Sequence, residues 1–220
     1  VLGLSVLVAG IAALVMAITS LLFPTQIMRI FTDDSTVILH GAQYLRVVAL
    51  SYLFSAISQI LATALRVIGY AKTPLKVALF ALTFNAVGNY FLIFGIGPFP
   101  AWGVAGAALS TALSRLLEMV ILIIIVYRRH PVLAIKNLDA FRFTRSFLAH
   151  VVPTSLPVIF NEVFWALGMV AYKIAYSKLG ISAIAAINVT EAIGNLFFVA
   201  LMGVSNATLI MIGIKIGEGE

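Results

Sequence analysis

The chain has no cysteine, which excludes a disulfide framework and any thiolate metal site. Charge is scarce: Asp, Glu, Lys and Arg make up 10% of the 220 residues, against about 25% in a soluble domain. With 62% hydrophobic residues beside that deficit, the chain reads as an integral membrane protein. Catalytic signatures are absent too. There is no G-x-S-x-G, H-E-x-x-H, Walker A or Gly-rich dinucleotide loop. No catalytic residue, metal site or cofactor is therefore expected. An intramembrane enzyme would need a nucleophile–base pair or metal ligands at depth, and none is visible. His40, His130 and His150 fall at span ends or in loops and share no metal-ligand spacing. The net charge of +6 suits basic cytoplasmic loops on anionic lipid rather than nucleic acid.

A spanning helix needs about 20 apolar residues, and six stretches qualify. Span one occupies 2–28, up to about Phe23-Pro24, and span two about Tyr44 to Leu65. The uncharged run 77–114 is interrupted by "GIGPFPAWG", which divides it into span three (about 75–95) and span four (about 103–127). Span five covers about 151–176 and span six about 183–213. The chain opens on Val1 inside an apolar run and closes on "GIKIGEGE", so it is expected to be a portion of a longer protein.

Basic residues alternate along the connections. Arg66, Lys72, Lys76, Arg128, Arg129, Lys136, Arg142, Arg145 and Lys215 lie on one side, against Arg29, Lys173 and Lys178 on the other. The bias places the first group, and both chain ends, in the cytoplasm. The long basic connection 128–150 carries Leu138, Phe141 and Leu148 at near-helical spacing. It reads as an interfacial helix, as a linker between two bundles, or as a solvated basic loop.

Ionisable residues inside spans call for individual explanation. Arg115 and Glu118 stand three apart on one helix face and are expected to pair. Arg46 and Lys173 can snorkel to an interface. Glu162, in "PTSLPVIFNEVFWALG", has no basic residue one turn away. Pro157 cannot donate to the carbonyl of Pro153. A bent helix with that free carbonyl, the Glu162 carboxylate and the Asn161 amide would make a cation or proton site. The other reading is a protonated Glu, or one bonded to a neighbouring helix. Glu191 opens span six, either shallow and wet or facing Glu162 at depth. Asn85 and Asn89 lie four apart on span three, offering carbonyl ligands or interhelical hydrogen bonds. Gly106, Ser110 and Ser114 repeat every four residues, a close-packing face, and Thr111 beside it could add a hydroxyl ligand.

"NAVGNYFLIFGIGPFPAWGVAGAALSTALSR" resembles the fifth and sixth helices of the multidrug and toxic compound extrusion (MATE) transporters. "ALRVIGYAKTP" resembles the loop after that family's fourth helix. "PTSLPVIFNEVFWALGMVAYKIAYSKLGISAIAAINV" resembles the seventh helix and its exit, and "GVSNATLIMIGIKIGEGE" the end of the eighth. The pattern is similar to the NorM-like bacterial branch. The resemblance implies an all-α polytopic helix bundle: six transmembrane helices of a twelve-helix, two-lobe fold. Residues 1–128 would supply four helices of the N-terminal lobe, 129–150 the cytoplasmic linker, and 151–220 the start of the C-terminal lobe. It implies a secondary antiporter in a bacterial inner membrane, monomeric at full length, exporting organic, often cationic, compounds in exchange for Na+ or H+. Glu162, with Asn161, would carry second-lobe coupling. Asn85, Asn89 and Thr111 would form a first-lobe cation site, with Asn89 standing where some relatives carry an acid. Phe164, Trp165, Phe197, Phe198 and Glu191 would line a substrate cavity, or simply pack between helices. A lipid-linked oligosaccharide flippase of the same superfamily and a non-transporting membrane protein are the alternatives.

Overall fold

The computed structural model describes residues 2–134, 141 and 143–218. The described residues form an all-α membrane helix bundle. Five helices are long and apolar enough to cross a membrane, or six if one bent pair counts as a single span, and the chain is a multi-pass membrane protein. It divides into two compact units, Val1–Leu148 and Ala149–Glu220.

In the first unit, α1 (Leu2–Leu22) has 21 residues. At 1.5 Å per residue that is about 31 Å, the thickness of a bilayer core. A short helix not anticipated from hydropathy, α2 (Pro24–Arg29), follows, with Pro24 in its first turn, where the missing N–H costs nothing. α3 (Ser35–Val48) opens on Asp34, whose carboxylate accepts from Thr36 N (2.8 Å) and Val37 N (3.2 Å). Asp34→Ala is expected to destabilise this helix start by about 1 kcal/mol. Faster amide hydrogen exchange over 35–38 would register it; unchanged exchange there would refute it.

The second expected span is longer and less regular than hydropathy indicates. It begins at Ser35 rather than near Tyr44, and α3 and α4 (Ser51–Val67) meet at a 50° bend. The cause lies at residues 48–52. The Ser51 hydroxyl donates to the carbonyl of Val48 (2.6 Å), and Tyr52 N–H turns to Ala49 O (3.2 Å). A serine that competes for a helix carbonyl bends the helix.

α5 (Lys72–Phe94) and α6 (Gly103–Arg129) form a helical hairpin close to the expected boundaries. Gly95 ends α5 in the left-handed region (φ 68°), and a Cβ there would lie 2.8 Å from the Ala101 Cα. Trp102 N–H donates to Leu92 O (3.0 Å), closing the turn.

Lipid tails are as apolar as leucine, so spans associate through close packing rather than water exclusion. The buried residues obey this. α1 meets α4 and buries Ala13, Ala17 and Ser20, a small-residue stripe. α6 buries Gly106, Ser110, Ser114 and Glu118 at every fourth position. Larger side chains gather at one end, where Leu61, Leu65, Val77, Leu122 and Val126 form a core cluster. At the same end the Tyr70 ring meets His130, with centroids 4.3 Å apart. The α4–α5 turn and the end of α6 therefore share one end of the unit, as the basic-residue count expects of loops on one membrane side.

The second unit contains α8 (Ile181–Glu218) and most of α7 (Arg145–Ser177). α7 begins at Arg145, so Arg145 and Leu148, assigned from the sequence to the connection 128–150, lie on the same helix as span five. Residues 135–140 and 142, including Lys136, Leu138 and Arg142, lie outside the described residues. α7 also runs as one helix through Pro153 and Pro157. The prolines remove donors without breaking it, because the flanking turns keep their own hydrogen bonds.

Candidate functional sites in the two units

The hairpin positions a polar cluster. Asn85 and Ser110 stand 25 residues apart, evenly either side of the turn at 97–98, so antiparallel packing brings them opposite each other. Gly88 on α5 and Gly106 on α6 permit the approach. A Cβ on Gly88 would overlap the Ser110 hydroxyl, and one on Gly106 would lie 2.7 Å from the Leu92 carbonyl carbon.

Ser110 Oγ donates to the Asn85 carbonyl (2.9 Å). The Asn85 side-chain amide makes long hydrogen bonds to Ser110 Oγ and Thr111 Oγ1, each 3.4 Å. The Thr111 hydroxyl donates to Ala107 O (2.9 Å), leaving its lone pairs toward Asn85. Asn89 Nδ2 donates to Asn85 Oδ1 (3.2 Å). The reverse amide orientation would set two carbonyl oxygens together, so this bond fixes which way Asn89 faces. Its Oδ1 is then enclosed and, among the described residues, has no hydrogen-bond partner. An enclosed acceptor without a donor is costly and suits a cation or a ligand N–H.

Asn85, Asn89 and Thr111, named from the sequence as one set, are thus brought together. Ser110, assigned there to packing, joins them. The signal that could have found it is the hairpin's own symmetry about 97–98.

Arg115 and Glu118 pair at 2.8 Å (Nη1 to Oε2), with the arginine side chain 49% exposed and the glutamate 10%. Arg115 lines a cavity of about 80 Å³ together with Asn85, Thr111 and Ser114, a placement the sequence did not reveal.

In the second unit Glu162 and Asn161 are exposed on α7. Among the described residues neither makes a hydrogen bond or ion pair that would explain Glu162 as interhelical glue within its unit. Glu191 is half-buried on α8 and shares no hydrogen bond with Glu162 among the described residues. Phe164 stacks on Phe160 along α7, with centroids 6.3 Å apart. Trp165, Phe197 and Phe198 are exposed on their helices. No group of His, Asp and Glu among the described residues could hold a metal ion.

The MatE family model matches residues 1–91. An uncharacterized transporter of Bacillus subtilis, YisQ, is 27% identical over 79% of this chain and 38% of its own length. A FAD transporter of Shewanella oneidensis is 28% identical over 71% of this chain and 34% of its own. A probable multidrug resistance protein of B. subtilis, YoeA, is 23% identical over all of this chain and 48% of its own. The chain thus spans less than half the length of these curated relatives. No solved structure matches it. The family match over the first helices and relatives aligned through the last agree with the order of motifs along the chain: the chain is similar to MATE transporters along its length.

Proposed function

We propose that the protein is a secondary active transporter that exports organic compounds in exchange for Na+ or H+, as a multidrug efflux antiporter of a bacterial inner membrane. The observation that carries this reading is Glu162. Many span hydroxyls bond back to their own helix, as Thr19, Ser58, Thr83 and Thr111 do. Glu162 lies within a 33-residue apolar helix with no such partner among the described residues, and an intramembrane acid left open is a site for a cation or a proton. Asn161 supports it as a neutral ligand. Asn85, Asn89 and Thr111 form a second polar locus, with the Asn89 carbonyl as its cation-facing end. Phe164, Trp165, Phe197, Phe198 and Glu191 supply aromatic and polar surface for substrate. The relatives' names, a multidrug resistance protein and a FAD transporter, support small organic molecules as cargo.

The test is transport by the full-length protein in proteoliposomes with an imposed gradient. Substrate movement should follow a Na+ or a pH gradient and collapse when the matching ionophore dissipates it. Transport indifferent to both gradients would defeat the reading.

A further inference from the structure

The α5–α6 polar cluster has two chemically different ends. Asn85 lies between them, and the cavity opens on the side away from Asn89. One helical turn along α5, about 6 Å, Asn89 presents its unpartnered carbonyl. One turn along α6 from Thr111, in the opposite direction, stands Arg115. Only one guanidinium nitrogen, Nη1, is engaged by Glu118. Arginine carries five N–H donors, so a donor edge remains for the cavity. Glu118 is buried at 8% and does not line the cavity, and no other carboxylate does. The polar lining at this end is thus a guanidinium, an amide and two hydroxyls.

We infer that this end of the cavity binds a carboxylate group of an organic substrate, with Arg115 as the specificity-determining residue. Arg115 then acts as more than half of a structural ion pair. A guanidinium disfavours a bare cation and offers a planar pair of donors that matches a carboxylate. The cavity, about 80 Å³, has room for a small polar group. The inference rests on the transporter reading, and it adds that the cargo includes organic anions as well as cations.

Equilibrium binding without any gradient separates the two ideas. The probes are an aryl carboxylate dye and its carboxamide, otherwise identical, titrated by fluorescence polarisation against the detergent-solubilised full-length protein. The wild type should bind the carboxylate about tenfold more tightly, the worth of one charge-assisted hydrogen bond. Because Arg115→Gln alone would strand the buried Glu118, the variant used is Arg115→Gln with Glu118→Gln. It should bind both dyes within twofold of each other. Arg115→Lys, which keeps the charge and the ion pair, should lose several-fold of the preference through loss of the fork, and it decides the matter if the double variant does not fold. A wild type that binds the two dyes equally, or a preference undiminished in these variants, overturns the inference. Either result leaves gradient-driven transport untouched.

Discussion

Glu162→Gln is expected to reduce cation-driven efflux to background, at least tenfold below wild type, while the amount of inserted protein stays the same. Gln keeps the shape of Glu and can still donate and accept hydrogen bonds. It cannot carry a charge or release a proton. If Glu162 served only as neutral glue to a neighbouring helix, Gln would replace it with little loss. If it is the group that alternately holds a cation and lets it go, Gln removes that step entirely. The structure strengthens the contrast, because α7 passes unbroken through Pro153 and Pro157. A coupling role for α7 would then rest on a side chain rather than on an unwound segment of this helix. The measurement is dye efflux under an imposed Na+ or pH gradient, normalised to the protein reconstituted. Wild-type efflux from the Gln variant would remove Glu162 from the coupling mechanism.

The second large effect is structural. Gly106→Val should strongly destabilise the α5–α6 hairpin and with it the first unit. The added Cβ would lie 2.7 Å from the carbonyl carbon of Leu92, closer still to its oxygen. Those are backbone atoms of α5 and cannot rotate aside. The helices must move apart, which loses the Trp102 N–H to Leu92 O bond and loosens the contact of Asn85 with Ser110 and Thr111. Overpacking of this kind typically costs about 1–3 kcal/mol, and more when the obstacle is backbone. A thermal melt of the detergent-solubilised protein should show a midpoint several degrees lower. Carboxylate-dye binding should fall in parallel, since its cavity is built across the same contact. An unchanged midpoint would mean that the two helices do not approach as described.

Spans were legible because their signal is local. A run of about 20 apolar residues has only one satisfactory place, since an unsatisfied backbone in lipid is too costly to leave outside a helix. The breaks at Phe23-Pro24 and at 95–103 were legible for the same reason, as Gly and Pro mark them directly. The i,i+3 spacing of Arg115 and Glu118 likewise sufficed for their ion pair. The bend at 48–52 was not legible. It depends on whether Ser51 bonds the Val48 carbonyl, and a serine in a helix has several acceptors to choose from.

The sequence by itself determined that this protein lives in a bilayer, which stretches cross it, and that Glu162 is the acid most in need of an explanation. Only the tertiary structure decided that Ser110 belongs with Asn85, that Asn89 holds an enclosed carbonyl without a donor among the described residues, and that Arg115 opens onto a cavity with Asn85 and Thr111. Those facts arise where two helices meet. A helix pattern states which residues share a face, but which face meets which, and at what depth, is set by how closely Gly88 and Gly106 let the backbones approach.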